Sequence, residues 1–118
     1  MEFKIIDAES EHIAKVGELF DMYRQFYQYE SNLIESTNYI KERIDKNEYK
    51  IFIAINDQNE TIGFAQLYET FGSLDLGKII ILYDLYVKKD YRKNKVGRQL
   101  MLKSHEYAKK NNAKRIQL

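Results

Sequence analysis

Hydrophobic positions along the chain switch between a period of two and a period near 3.6, and the switches mark out its elements. Phe3 to Ile6 alternates as a short strand. Ile13, Val16, Phe20, Tyr23 and Tyr27 then recur at three- and four-residue spacing, which predicts a long amphipathic helix with Ser10 as its N-cap and Glu11 favourable in the first turn. A shorter helix is predicted after Ser36, with Ile40 and Ile44 on its buried side and Asn47 near its end. Tyr49, Ile51, Ile53 and Ile55 alternate again, Asn56 to Glu60 supplies turn chemistry, and Ile62 to Tyr68 reads as the returning strand of a hairpin. Thr70 to Gly77 is the next reversal. A strand from Ile79, a helix from Val96 to about Asn111 and a strand beginning at Arg115 follow. The order is βααβββαβ: an α/β fold with a mixed, mostly antiparallel sheet flanked by helices, the strands on either side of the last helix being parallel neighbours.

One stretch departs from ordinary patterning. Ile79 to Val87, IIILYDLYV, is apolar on both faces except for Asp84, as in a strand covered on both sides. It runs into Lys88, Lys89, Arg92, Lys93 and Lys95, and then into the helix. The first turn of a helix already exposes unpaired N–H groups and the positive end of the helix dipole, so acidic residues are the usual choice there. Here cations collect instead, offset only by Asp90. A bound anion, phosphate or pyrophosphate, held by Asn94 to Arg98 resolves the conflict, and Gly97 lets it approach the backbone closely. A solvated basic helix start is the plainer alternative.

At 118 residues, with ten Tyr and six Phe, the chain is one folded domain, residues 1–118. It has no Cys, which excludes disulfides, thiolate metal sites and a Cys nucleophile and fits a reducing compartment. His12 and His105 lack zinc-ligand spacing, so no metal is expected, and no Ser stands in a Gly-x-Ser-x-Gly context. The opening MEFKIIDAES is acidic and quickly polar, and no apolar run reaches membrane-spanning length; a cytoplasmic protein without membrane contact is expected. The net charge of +1 conceals an asymmetry, with 7 Lys/Arg against 13 Asp/Glu in residues 1–60 and 12 against 5 in residues 61–118. The near-neutral sum argues against a nucleic-acid partner and for a compact anionic ligand.

The segment Leu82-Tyr83-Asp84-Leu85-Tyr86-Val87, followed by Tyr91-Arg92-Lys93-Asn94-Lys95-Val96-Gly97, resembles the central motif of the GCN5-related N-acetyltransferase (GNAT) family, Gln/Arg-x-x-Gly-x-Gly/Ala after a strand ending in Val. Arg92 and Gly97 occupy the first and last positions, and Lys95 stands at the first glycine. The element order is that of the family's N-terminal part. Gly63-Phe64-Ala65 and Gly77-Lys78 to Val87 look closest to the diamine and polyamine acetyltransferase branch, in which an adjacent Glu-Asp pair occupies the place of Tyr83-Asp84.

The resemblance implies direct transfer of acetyl from acetyl-CoA to a primary amine of a small molecule or a peptide. Backbone groups of Leu85, Tyr86 and Val87 would pair with the pantetheine arm. The pyrophosphate would lie on Arg92, Lys93, Asn94, Lys95, Val96, Gly97 and Arg98, with side-chain charge from Arg92, Lys93 and Arg98. Asp84 is the catalytic candidate, taking a proton from the amine directly or through water as burial raises its pKa; holding a cationic substrate and a purely structural carboxylate are the competing roles. The family's general acid, a Tyr on a helix after the next strand, would fall beyond Leu118, which leads us to expect a fold truncated at the fifth strand and a homodimer formed through the open sheet edge. Two other functions stay open at this point: a catalytically incompetent CoA-binding relic, and a small nucleic-acid-binding domain using the Lys88 to Arg98 patch.

Overall fold

The computed structural model describes residues 1–118. Five strands, β1 (Phe3–Asp7), β2 (Lys50–Asn56), β3 (Thr61–Gly72), β4 (Gly77–Val87) and β5 (Ile116–Gln117), form one sheet in sequence order. The first four are antiparallel to their neighbours, and β5 runs parallel to β4. Helices α1 (Ile13–Phe26) and α2 (Leu33–Asp45) cover one face, and α3 (Val96–Lys110) covers the other.

The alternation along β2 and β3 divides the core between the faces. Ile51, Ile53, Ile55 and Phe64 pack under Val16, Leu19 and Ile40, while Phe52, Ala54, Ile62, Ala65 and Leu67 pack under Val96, Leu100 and Ala108. Both faces are covered, which is why these strands read as nearly continuous apolar runs. Burial of each large side chain contributes roughly 1.5–3 kcal/mol.

Several local expectations are corrected. Ser10 is the first residue of a 3₁₀ turn and not an N-cap; the N-cap is Glu9, in a reciprocal box with His12, whose Nδ1 accepts from the Glu9 N–H at 2.9 Å. The second helix begins at Leu33, three residues before Ser36, because the Asn32 side chain caps it by accepting from the Glu35 N–H. Ser36 is buried inside it. The reversal expected over Thr70 to Gly77 is shorter, since β3 reaches Gly72 and β4 starts at Gly77. Neither glycine takes a positive φ there; Leu76 does.

Two features of β4 prepare the site. Its register against β3 slips between Gln66 and Leu67, opposite Asp84 and Leu82, so Tyr83 is an extra residue on β4 in a bulge. The parallel partner β5 pairs only with Ile80 and Ile81. From Leu82 to Val87 the side of β4 away from β3 therefore meets no strand.

Candidate functional site

The bulge and the open edge place successive β4 residues in different surroundings. Lys88 donates its N–H to the Ile62 carbonyl at 2.9 Å, which sets the phase of the antiparallel ladder. Tyr86 and Phe64 then exchange backbone hydrogen bonds, and Leu85 and Val87 point theirs outward. Of the three backbone partners expected for a pantetheine arm, Leu85 is open and Val87 keeps an outward N–H, its carbonyl being taken by Arg92, whereas Tyr86 is occupied within the sheet.

Arg92 also has work inside the fold. Its Nε donates to the Val87 carbonyl at 2.8 Å, and its guanidinium lies 5.4 Å from the Phe26 ring centre and 5.3 Å from that of Tyr86. It bolts the turn to the end of β4 and to α1. Lys88 pairs with Glu60 at 3.1 Å, and Tyr91 donates to the same carboxylate at 2.9 Å, which tie the root of the loop to the β2–β3 hairpin. These contacts hold the Glu60 carboxyl below its usual range, with the Tyr91 hydrogen bond first and Lys88 next. Lys93, Lys95 and Arg98 are exposed and pair with no carboxylate.

The turn into α3 hinges on Lys95. It sits in the left-handed region, φ 65° and ψ 17°, and serves as the N-cap without a side-chain hydrogen bond. A lysine there costs roughly 1–2 kcal/mol relative to ordinary backbone. The N–H groups of Lys95, Val96, Gly97 and Arg98 find no acceptor in the chain. Asn94, by contrast, donates to the Tyr91 carbonyl at 3.2 Å. Val96 is fully buried and fixes the helix against the core. A Cβ built on Gly97 would lie 3.8 Å from Val87 Cγ2, an ordinary contact, so the fold itself does not require glycine at this position.

On the opposite face of the same strand, Asp84 is 9% exposed. It accepts from Gln66 Nε2 at 2.6 Å, and the Gln66 amide oxygen, also buried, has no partner. Burial pushes the Asp84 carboxyl up, against the opposing hydrogen bonds from Gln66 and Tyr23. Tyr23 is itself held in its phenol form, by burial first and by the Asp84 carboxylate second. A cleft of about 280 Å³ beside it is lined by Tyr23, Phe26, Tyr27, Leu85, Tyr86, Val87 and Arg92. The largest hollow, about 420 Å³ around Tyr49, Tyr68 and Tyr107, includes neither the basic turn nor Asp84 in its lining.

Sequence reasoning missed Gln66 and Asp21. Gln66 carried the same mark as Asp84, a lone amide in an apolar strand, but only the register pairs the two. Asp21 is 5% exposed and accepts from Ser31 Oγ (2.6 Å), the Asn32 N–H (2.8 Å) and Ser36 Oγ (2.9 Å). It clamps the α1–α2 turn and thereby sets the end of α1, where Tyr23, Phe26 and Tyr27 reach the cleft.

Residues 16–118 match the family model described as acetyltransferase (GNAT) family. The chain is 37% identical over 114 residues to YhfO of Bacillus subtilis (strain 168), an uncharacterized N-acetyltransferase, spanning 97% of this chain and 76% of that protein. A crystal structure of a probable acetyltransferase superposes with a TM-score of 0.91 at 32% identity, covering 97% of this chain and 76% of its own. The ribosomal-protein-alanine N-acetyltransferase of Brucella melitensis biovar Abortus 2308 shares the fold, with a TM-score of 0.86 at 14% identity over 99% of this chain and 80% of its own. No helix is long and apolar enough to cross a membrane.

Proposed function

The chain belongs to the GNAT family of acetyltransferases, and from that premise we propose that it moves acetyl from acetyl-CoA directly to a primary amine. The observation that carries this reading is the continuity between the outward backbone groups of Leu85 with the outward N–H of Val87 and, beyond them, the acceptor-free N–H groups of Lys95 to Arg98. The first suit the amides of a pantetheine arm, and the second suit a pyrophosphate. Gly97, with room for a methyl group that it does not carry, fits a ligand lying on the backbone. Lys93 and Arg98 supply unpaired charge, while Arg92 holds the turn in shape.

Bound acetyl-CoA supplies a thioester whose C–S bond breaks as the amine forms its C–N bond, the thiolate leaving with one of the two protons that nitrogen gives up. The chain's own task is to take the other proton. Asp84 is placed for it, because burial raises its affinity for a proton and Gln66 fixes the orientation of its carboxylate. Tyr23 stays protonated beside it, its ionisation opposed by burial and by the Asp84 carboxylate.

Calorimetric titration with acetyl-CoA tests the anion site. We expect saturable binding, weakened about ten-fold in a Lys93→Ala, Arg98→Ala double variant whose unfolding temperature is unchanged, as two charge-assisted contacts are lost. Absence of binding, or equal binding in the variant, would overturn the reading.

A further inference from the structure

Strand β3 outruns its partner on one side. β2 starts at Lys50, opposite Leu67, whereas β3 continues to Gly72. On β4, Lys78 accepts from the Lys114 N–H and Ile80 donates to the Arg115 carbonyl, so both turn their backbone groups away from β3. Ile79 and Ile81 then turn theirs toward Thr70 and Tyr68, which leaves Glu69 and Phe71 facing the other way, where no backbone group meets them. This is a different edge from the one beside β5. An open edge is normally guarded by a proline, a bulge or a charge. Here the chain has no Pro, the bulge lies further back at Tyr83, and the Glu69 carboxylate is paired with Lys78 at 3.5 Å.

The hairpin tip beyond this edge is apolar. Turns are ordinarily built from polar residues and glycine, yet Phe71 is 83% exposed, Leu76 87% and Leu74 wholly so, and Leu76 takes the left-handed region at φ 58°. These three side chains present roughly 500 Å² on one copy and about 1,000 Å² on two, the size at which a specific interface begins. Beside the edge lies the hollow of about 420 Å³, lined by residues 47–50 where the chain enters β2, by Leu67 to Glu69 and by Tyr107.

The edge is complementary to itself. When two copies of β3 lie antiparallel about a two-fold axis at Thr70, Glu69 of each falls opposite Phe71 of the other. The outward N–H and C=O groups of both residues then pair, with about four hydrogen bonds in all. Thr70 meets Thr70 on one face, a favoured cross-strand pair. On the other face, covered by α3, Phe71 shares the side of β3 with Leu67 and Glu69 and comes level with the other copy's hollow. Glu69 keeps its own Lys78, so no bare carboxylates are brought together.

We propose that the chain pairs with a second copy of itself through the β3 edge at Glu69 and Phe71, the apolar hairpin tip of each copy filling the hollow of the other. Sedimentation at about 10 and about 500 µM protein, with amide hydrogen exchange at both concentrations, tests it without any cofactor or substrate. We expect a monomer–dimer equilibrium in which the Glu69 and Phe71 amides exchange about ten-fold more slowly at the higher concentration. Phe71→Glu sets like charges opposite each other across the axis and is expected to weaken the dimer at least about ten-fold at an unchanged unfolding temperature, since the side chain is exposed in one copy. Phe71→Lys sets opposite charges there and is expected to dimerise more tightly than Phe71→Glu. A monomer at both concentrations, a dimer indifferent to Phe71→Glu, or protection that appears at Leu85 and not at Glu69 and Phe71 would overturn the proposal.

Discussion

Asp84 is a carboxylate that the fold holds at some expense to stability. Its folded pKa lies above the unfolded value of 3.8, so the native state prefers the protonated form. The native protein therefore carries a penalty at neutral pH, and the penalty disappears as pH falls through the folded pKa toward the unfolded one. Replacement by Asn removes the charge and keeps the shape. Asp84→Asn is expected to raise the unfolding midpoint at about pH 7, to leave it nearly unchanged at about pH 3, and to lower the rate of acetyl transfer by a factor on the order of 10² to 10⁴, as for loss of a general base. Thermal unfolding at the two pH values and a steady-state assay check the three parts; a midpoint that falls at pH 7 would mean that the carboxylate stabilises the fold. Gly97 presents the complementary case. Because a methyl group there meets Val87 at an ordinary distance, Gly97→Ala is expected to stabilise the helix by roughly 0.5–1 kcal/mol while weakening acetyl-CoA binding about ten-fold. Loss of stability in that variant would show that the glycine serves the fold rather than the ligand.

At the scale of elements, the junction between α1 and α2 does more than connect two helices. Burial alone would push Asp21 up, but hydrogen bonds from Ser31, Asn32 and Ser36 outweigh it and hold the carboxyl below its usual range. Its contribution to stability is present above the unfolded pKa and lost as pH falls through the lower, folded one. Asp21→Ala is expected to cost about 3 kcal/mol at neutral pH, measured by urea unfolding, with the gap to the parent protein narrowing as the solution is acidified to about pH 2. A gap that does not change with pH would assign the loss to packing and not to the charge. The same junction shows where the sequence was hard to read. The period of three and four located both helices, yet the cap of the second lies with Asn32 and the buried Ser36 binds a residue fifteen positions away. A polar side chain that satisfies a distant partner looks, in a linear sequence, like one that starts a helix. Strands were easier to read, because a strand covered on both faces has no choice but to be apolar throughout.

The whole molecule separates its charge as it separates its layers. The acidic N-terminal half supplies the helices on one face, and the basic C-terminal half supplies the β4–α3 turn. An anionic ligand is steered toward that turn by a field which mobile ions screen over about 8 Å at physiological salt. The association rate of acetyl-CoA, followed by stopped-flow quenching of tyrosine fluorescence, is expected to fall several-fold between about 50 and 500 mM salt, with a smaller change in the dissociation rate. A salt-independent association rate would remove steering from the account.

Sequence alone determined which segments are helices and strands, that the chain builds a layered α/β sheet, and that positive charge gathers where a strand feeds a helix. These are consequences of local spacing and composition, and they survive any later rearrangement of partners. Tertiary structure decided the rest. Strand register brought Gln66 onto Asp84, the bulge turned Tyr83 outward, and the phase of the β3–β4 ladder pointed the backbone of Leu85 and the N–H of Val87 away from β3 while Tyr86 paired with Phe64. Arg92 was expected at an anion and is also engaged by the Val87 carbonyl, and Lys95 at the glycine position meets the need for a left-handed residue by accepting the strain. The physical reason is common to all of these. A site of this kind is made of groups left unpaired, and whether a group is paired depends on what the fold brings against it from far along the chain.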